Sequence, residues 1–359
     1  MKIKPKLSAS LVLLLVGCLS ACTEPTQPIR AETDFVASAT SSYAITDLGN
    51  LGGSFAVARG IDDAGQIVGV SETGAGQLHA FVWTIATGMT DLGTLGGANS
   101  QAFSINEHGN IAGSSLLVSG ERHAFLWTAA AGMQDLGTLA GGHNSQARHI
   151  NDADEVAGFS DLMLNGPPHP FLWSVSAGMT DLGTFGGDHA FAWGINNRTT
   201  VVGYGPLGSC VFTLAWSWTQ QGGFVDLGAL SHADPCGGSA ATAVNDRGDV
   251  VGSSGTDALV GHAFRWTAAI GMVDLGALFG VNSSSEATAI NQRGQVVGLS
   301  TSSDGTIQHP FAWDGRTGME DLDLLLGDQT GAAFAISDNG RIVGSSGSHA
   351  VLWTPIHHM

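Results

Sequence analysis

The amino-acid sequence predicts an all-β fold, and three observations carry that prediction. A Trp is followed eight residues later by an Asp in six places, from Trp83 and Asp91 through to Trp313 and Asp321. The apolar segments between them have the length of β-strands, and the Gly, Asn or Ser residues that bound them favour turns. The copies recur about every 46 residues. Four short strands per copy, repeated seven times, predict a seven-bladed β-propeller.

The seventh copy is split between the two ends of the chain. Trp353 has no Asp-Leu-Gly after it, and the Asp-Leu-Gly that begins at Asp47 has no Trp before it. We therefore expect residues 44–49 to form the last strand of the final blade, beside residues 350–354. This closure by N-terminal strand pairing removes the unpaired sheet edge that an open arc would leave.

Each copy contains four strands, which we name A to D in chain order. Their patterns are Ala-x-x-Ile-Asn, Val-Val-Gly-x-Ser, His-Ala-Phe-x-Trp and x-Asp-Leu-Gly. The A–B and C–D connections keep one length, whereas the B–C and D–A connections vary. In a four-stranded meander, the A–B and C–D turns share one rim, the fixed-turn rim, and the other loops share the variable-loop rim. Variable loops on a rigid scaffold often carry recognition, so we expect a ligand at the variable-loop rim.

The start of the chain resembles a bacterial lipoprotein signal. Three early Lys precede an apolar run too short to span a membrane, and Leu19-Ser-Ala-Cys22 resembles a lipobox. The resemblance implies removal of residues 1–21, lipidation of Cys22 and a flexible tether over residues 22–42. Cys18 fits the same pattern, and a plain secretory signal is a further alternative. The protein would then be exported and lipid-anchored in the bacterial cell envelope, on its periplasmic or cell-surface side.

The composition excludes one class of partner. Cleavage before Cys22 removes three Lys and no acidic residue, so the formal charge falls from −18 to −21. A surface this acidic repels phosphate backbones, which argues against nucleic acid. Cys210 and Cys236 lack CxxC spacing, and in an exported protein such a pair predicts a disulfide. That bond would close a loop of roughly 26 residues and stabilise the fold by about 3–4 kcal/mol.

The repeated motif also carries a family resemblance. His79-Ala-Phe-Val-Trp83, together with the Asp-Leu-Gly-x-Leu-Gly-Gly of residues 91–97, resembles the HAF family of bacterial extracellular repeats. The likeness covers residues 43–354 and leaves residues 355–359 as a tail. It implies export and a repeat architecture, and it supplies no catalytic residue. The fourth copy departs from the pattern, with Thr213-Leu-Ala-Trp216 in place of His-Ala-Phe.

The recurring His residues are interpreted as structural. They occupy strand C in different blades, tens of Å apart across the ring, whereas each Zn–N bond is only about 2.0–2.1 Å. We expect each His, the Trp of its blade and an Asp to form a buried hydrogen-bonded set, since buried polar groups need partners. The residues placed in this structural class are His79, Trp83, His123, Trp127, Asp47, Asp91 and Asp135.

Two groups of residues are candidates for ligand binding. One strand A position carries Arg59, Phe103, Arg148 and Trp193, which suit an anionic or sugar ligand if they lean toward the channel. Packing between neighbouring blades is the alternative. The D–A loops of three consecutive blades hold a second polar group, a candidate small-ligand or metal site with solvated loop residues as the alternative. These residues are His143, Asn144, Asp188, His189, His232 and Asp234, with His149 on strand A nearby.

Catalytic signatures are absent from the sequence. It contains no Gly-x-Ser-x-Gly elbow, His-Glu-x-x-His, phosphate loop or EF-hand loop, so no catalytic residue, metal or cofactor is predicted. The sequence favours a monomeric, non-catalytic binding or interaction module whose partner is an envelope protein or a glycan. A polysaccharide hydrolase or lyase is one alternative, because propellers host many chemistries. A structural envelope scaffold is the other.

Overall fold

A computed structural model of the 359-residue chain confirms the all-β propeller. It describes residues 42–208, 210, 212–233, 237–325 and 327–356. Within these residues, 28 strands form seven four-stranded antiparallel sheets. The predicted signal segment and Cys22 lie outside the described residues, and so does Cys236, so its bond to Cys210 stays a prediction. No helix long and apolar enough to cross a membrane occurs in the described part of the chain.

The first four blades follow one another along the chain, each as strands A to D. Blade 1 contains β2 (Gly52–Ile61), β3 (Ile67–Thr73), β4 (Leu78–Thr84) and β5 (Gly88–Asp91). Blade 2 contains β6 (Gly96–Ile105), β7 (Ile111–Leu117), β8 (Arg122–Thr128) and β9 (Gly132–Asp135). Blade 3 contains β10 (Ser145–Ile150), β11 (Val156–Asp161), β12 (Pro168–Ser174) and β13 (Gly178–Asp181). Blade 4 contains β14 (Phe191–Ile195), β15 (Val201–Pro206), β16 (Thr213–Thr219) and β17 (Gly223–Gly228).

The last three blades complete the ring, and the seventh takes its strand D from the start of the chain. Blade 5 contains β18 (Ser239–Val244), β19 (Val250–Gly255), β20 (Gly261–Thr267) and β21 (Gly271–Asp274). Blade 6 contains β22 (Ser284–Ile290), β23 (Val296–Thr301), β24 (Gln308–Asp314) and β25 (Gly318–Asp321). Blade 7 contains β26 (Gly331–Ile336), β27 (Ile342–Ser346), β28 (His349–Pro355) and β1 (Tyr43–Asp47).

The two ends of the described chain meet as the sequence predicts. Strand β1 pairs with β28 in antiparallel register, from Tyr43 opposite Pro355 to Asp47 opposite Val351. The backbone N–H of Leu48 extends the ladder by donating to the carbonyl of Ala350 at 2.9 Å. Because β1 runs like every other strand D, Tyr43 lies at the fixed-turn rim. The predicted tether therefore joins the propeller at that rim.

A glycine in every strand B allows strands A and C to approach closely. In blade 2 a Cβ on Gly113 would lie 2.1 Å from the carbonyl oxygen of Gln101 and 2.5 Å from the ring of Phe125. No side chain fits there, so the ring of Phe125 packs directly over the backbone and is fully buried. In blade 4, Trp216 takes the same place and is fully buried as well. The altered fourth motif thus preserves an aromatic core residue.

A polar residue directly after strand A organises each A–B turn, and it is Asn in five blades, Asp62 in blade 1 and Ser337 in blade 7. In blade 2 the Asn106 side-chain oxygen accepts from the backbone N–H groups of His108 and Asn110. Its amide nitrogen donates to the backbone carbonyl of Asn151 in the next blade at 3.0 Å. The turn then needs a residue with positive φ, which Gly adopts without strain. Where Gly is replaced, Asp154 and Thr199 adopt φ of 60° and 58°.

The recurring His residues each contact a carboxylate on the neighbouring strand D. The Nδ1 atom of His79 lies 2.8 Å from Asp91, and that of His123 lies 2.8 Å from Asp135. At the seam, His349 lies 2.9 Å from Asp47. These pairs are partly exposed, not buried as we expected, since the Asp side chains keep about two-fifths of their surface in solvent. The sets lack the expected Trp: among the described residues, no hydrogen bond joins Trp83 or Trp127 to its pair.

Candidate functional site

A β-bulge in every strand A places one side chain per blade in the central channel. The strand A register shifts by one residue at the same position in all seven blades, for example between Ala147 and His149. A bulge re-aims the extra side chain relative to the regular ladder. We call these seven residues the bulge belt: Arg59, Phe103, Arg148, Trp193, Thr242, Thr288 and Phe334. All of them line a cavity of about 550 Å³ on the propeller axis.

Five consecutive members of the bulge belt stack on one another across blade boundaries. The Arg148 guanidinium carbon lies 3.7 Å from the Trp193 ring centroid and 4.3 Å from that of Phe103. The Arg59 guanidinium lies 5.5 Å from Phe103 and 5.2 Å from Phe334. Each guanidinium therefore has an aromatic ring on two sides, a favourable cation–π arrangement. With its faces covered, a guanidinium presents its N–H edge to the cavity, and that edge suits a planar oxyanion.

The two guanidinium groups carry uncompensated positive charge. Among the described residues, neither Arg59 nor Arg148 forms a salt bridge, and the Nε of Arg59 is buried without a hydrogen-bond partner. Burial, reinforced by the charge of Arg59, lowers the pKa of Arg148 to about 9. Burial also lowers the pKa of Arg59. Unpaired cations in a partly desolvated site are costly, and a bound anion would remove that cost.

The other two belt positions carry small side chains and leave the cavity open on that side. The hydroxyl of Thr242 donates to the carbonyls of Val251 and Ala287, the latter in blade 6. Thr288 makes the equivalent bonds to Val297 and to Ala333 in blade 7. Both hydroxyls tie the bulge to the neighbouring blade instead of reaching into the lumen. The cavity is therefore asymmetric, with an Arg–aromatic wall on one side and a small-residue wall on the other.

Two titratable side chains of the innermost strands, besides the arginines, line the cavity. Glu286 of β22 is exposed where it faces the cavity, and the surrounding protein raises its pKa through desolvation. His149 of β10 has a buried Nδ1 without a partner, and burial lowers its pKa to about 4. Both groups are thus shifted toward their neutral forms. They lie three blades apart, on opposing walls of the channel.

A closed ring of hydrogen bonds forms the mouth of the cavity at the fixed-turn rim. The second residue of each A–B turn accepts, through its side chain, from the backbone N–H of the equivalent residue in the preceding blade. The distances run from 2.7 to 3.2 Å, and the last bond joins the Asp338 N–H to Asp63 across the seam. We call these residues the mouth ring: Asp63, Glu107, Asp152, Asn197, Asp246, Gln292 and Asp338.

The mouth ring is strongly acidic, since five of its seven residues are Asp or Glu. Glu107 records the resulting field: burial raises its pKa, and the negative charges of Asp63, Asp62 and Asp152 oppose the single stabilising bond from the Asp63 N–H. The channel is consequently negative at its mouth and positive at the bulge belt.

The structure separates the two groups of ligand-binding candidates. Arg59, Phe103, Arg148 and Trp193 all line the axial cavity, and His149, which we grouped with the loop residues, lines it as well. The loop residues lie elsewhere and are each held by a local partner. His143 contacts Glu121 at 2.7 Å, His189 contacts Asp188 at 2.6 Å, and His232 lies 3.9 Å from Asp257. Asp234 lies outside the described residues. In the described ranges no group of three or more His, Cys, Asp or Glu could hold a metal ion.

Sequence reasoning missed Glu286 and the mouth ring. Glu286 stands two residues before the belt position, where the other blades carry Val, Gln, Phe or Ala. A lone carboxylate in an otherwise uncharged series is a signal that the aligned repeats contain. The mouth ring also has a signal in the sequence, because an acidic or amide residue stands at the second position of every A–B turn.

Comparison with known proteins identifies the fold and no family. No protein-family model and no curated protein matches the chain. Virginiamycin B lyase from Staphylococcus aureus superposes with a TM-score of 0.58 at 8% identity, over 88% of this chain and 100% of the lyase. A streptogramin B lyase gives 0.55 at 9% identity, over 88% and 98% of the two chains. A puromycin hydrolase variant gives 0.55 at 12%, over 84% and 52%. At such identities the likeness establishes the propeller scaffold alone.

Proposed function

We propose that this protein is a binding module of the bacterial cell envelope that holds an organic anion in the central channel of its propeller. The observation that carries the proposal is the pair of arginines in the bulge belt, which face a cavity of about 550 Å³ without any carboxylate partner among the described residues. This volume falls in the range of small-molecule sites, about 300–1,000 Å³. After the predicted cleavage the chain would retain no Lys and ten Arg, and two of these ten line the cavity.

The channel is a better-supported site than the variable-loop rim that connection lengths favoured. The loop histidines each contact their own carboxylate, whereas the channel residues converge on one space. Aromatic rings beside the guanidinium groups add apolar surface for a ring or a hydrocarbon portion of the ligand. A glycan bound by the loops is the alternative for the variable-loop rim, and adding a glycan panel to the titration below tests it.

The test is a titration of the purified protein with matched pairs of charged and neutral compounds. Glucuronate is compared with glucose, and benzoate with benzamide, by calorimetry and by fluorescence, since Trp193 contacts Arg148. We expect binding of at least one acid and of neither neutral partner. Arg148→Gln should weaken binding at least about tenfold, the loss expected for a charge-assisted hydrogen bond.

Arg316→Gln is the matched control, because Arg316 is exposed at a C–D turn of blade 6 and lies outside the channel. It removes the same charge and should leave affinity unchanged. Equal losses in both variants, or no binding of any acid at millimolar concentration, would contradict the proposal.

A second candidate function rests on Glu286 and His149. Carboxyl and imidazole groups with displaced pKa values in one cavity are typical of acid–base catalysis, which keeps a polysaccharide hydrolase or lyase in view. New reducing or unsaturated ends, released from an acidic polysaccharide by the protein and not by a Glu286→Gln variant, would establish it. If the polymer stays intact after long incubation, the enzymatic function is contradicted and only the binding function remains supported.

Export and lipid anchoring are part of the proposal and rest on the likeness of residues 1–22 to a lipoprotein signal. The membrane fraction should lose the protein on Cys22→Ala and keep it on Cys18→Ala. The reverse result would move the anchor to Cys18. Because Tyr43 begins β1 at the fixed-turn rim, the tether and the mouth of the cavity would share one side of the propeller.

A further inference from the structure

We infer that the ligand of the channel is a zwitterion, with an ammonium group as well as a carboxylate, of the kind that a free amino acid or a short peptide presents. The inference rests on the proposed function and names the class of compound that the same cavity takes. Its basis is the pairing of two unpartnered arginines on one wall with an unpartnered carboxylate, Glu286, on the opposite wall.

Glu286 is placed to receive a cation. Among the described residues its side chain forms no hydrogen bond or salt bridge, and it is exposed where it lines the cavity. It lies in blade 6, three blades from Arg148 in blade 3, so the two charges face each other across the axis and not along one wall. The neighbouring belt residue, Thr288, uses its hydroxyl on backbone carbonyls and leaves Glu286 unobstructed.

Tyr204 lies behind the Arg–aromatic wall of the channel. Its ring stacks on Trp193, with 6.0 Å between centroids. Burial raises the pKa of Tyr204, the charge of Arg148 lowers it, and the charge of Glu286 raises it. Arg148 and Glu286 thus act on Tyr204 with opposite signs, and among the described residues no salt bridge joins these two groups, which leaves a gap between their charges. A small molecule carrying both signs would bridge that gap.

The route into the cavity points the same way. A ligand entering through the mouth ring passes five carboxylates, and the folded chain as a whole is strongly acidic. A plain anion is repelled along that path, and charges within about 8 Å of each other are poorly screened at physiological salt. An ammonium group compensates the repulsion at the mouth and then finds Glu286 inside. The carboxylate of the ligand can therefore reach Arg59 and Arg148.

The test uses alanyl peptides of two, three and four residues, because each added residue lengthens the charge separation by at most about 3.3–3.6 Å. Each peptide is compared with its N-acetylated form, which lacks the ammonium group, and with its C-terminal amide, which lacks the carboxylate. Calorimetry on the purified protein should show one free peptide binding at least about tenfold more tightly than either blocked form.

Variants assign the two ends of the ligand. Glu286→Gln should abolish the advantage of the free peptide over its N-acetylated form and leave the N-acetylated form unaffected. Arg148→Gln should weaken both forms. Glu121→Gln is the matched control, since Glu121 contacts His143 on the variable-loop rim and not the cavity. An unchanged circular dichroism spectrum excludes misfolding as the cause of any loss.

The possible outcomes distinguish the zwitterion inference from the proposed binding of an organic anion. Equal affinity for free and N-acetylated peptides, both lost in Arg148→Gln, overturns the zwitterion and leaves the anion site standing. If glucuronate or benzoate binds and no peptide does, the zwitterion is likewise overturned and the anion site stands. No binding of peptides or of the organic acids overturns both.

Discussion

Arg148 shows how one residue acquires its role from its backbone. Its side chain enters the channel because the bulge between Ala147 and His149 breaks the regular alternation of β10. The rings of Trp193 and Phe103 then hold the guanidinium at 3.7 and 4.3 Å. Contacts of this kind contribute about 0.5–2 kcal/mol each and offset part of the cost of an unpaired cation. The remaining cost is the part that a bound anion would relieve.

His149 makes the stability of the propeller dependent on pH. Burial lowers its pKa from an ordinary 6.5 to about 4 in the folded protein. Between these values the unfolded chain binds a proton that the folded protein excludes, so stability is fully present above pH 6.5 and decreases toward pH 4. The slope from this one group reaches at most about 1.4 kcal/mol per pH unit. His149→Asn should therefore lose less unfolding free energy over this range than the wild type, measured by urea denaturation.

The matched control for that prediction is His108→Asn, which removes an exposed imidazole that forms no salt bridge among the described residues. Carboxylates contribute to the pH dependence of every variant, so only the difference from wild type is informative. Superimposable pH profiles for wild type and His149→Asn would show that the imidazole titrates normally in the folded protein.

At the scale of elements, the repeats predict the strands and their order well. The spacing of Trp and Asp places strands C and D, and the Asn-x-x-Gly turn places strands A and B. The bulge was not predicted, and for that reason the direction of Arg59 and Arg148 stayed conditional. The sequence contains a signal for the bulge, because the Ala and Ile of the Ala-x-x-Ile-Asn pattern stand three residues apart and would fall on opposite faces of a regular strand.

Strand β1 is the element on which ring closure depends. Replacing both Asp47 and Leu48 by Pro removes the Leu48 N–H that bonds Ala350, and it removes the Asp47 carboxylate that contacts His349. A proline also cannot take part as a donor in the ladder. We expect a loss of at least about 2 kcal/mol in the free energy of unfolding, seen as a lower melting temperature.

The control is the double variant Asp47→Asn and Leu48→Ile, which keeps both backbone N–H groups and the apolar contact. It should melt close to the wild type. A proline variant that melts with the wild type would mean that the last blade is stable with three strands.

At the scale of the whole molecule, seven equivalent blades and their closure were predictable because each copy repeats the same constraints. The position of the cavity was not, since connection lengths pointed to the variable-loop rim. A site on the axis depends on seven side chains from separate copies, and no single copy reveals it. Only the alignment of the copies, with Arg59 and Arg148 at one position, anticipated part of it.

Because the ring is closed, the chain could begin at a different blade and still form the same seven sheets. Ser42 and Ile356 are hydrogen-bonded at 2.8 Å, so a three-residue turn like residues 85–87 would join Pro355 to Tyr43. A permutant joined there and opened between Gly186 and Gly187 should fold with an unfolding free energy within about 2 kcal/mol of the wild type. Circular dichroism and urea denaturation measure this, and a permutant that only aggregates would show that chain order matters beyond the final contacts.

The contact between Asp47 and His349, which are 302 positions apart, also determines when the ring can close during synthesis. The first strand to leave the ribosome must wait for the last one, so a nascent chain halted a few residues early has a gap in its circle and an uncovered edge. For a secreted polypeptide that threads through a translocon from its amino end, completion falls after the carboxyl end has crossed. If this protein is exported as we propose, its ring would therefore close only on the far side of the membrane.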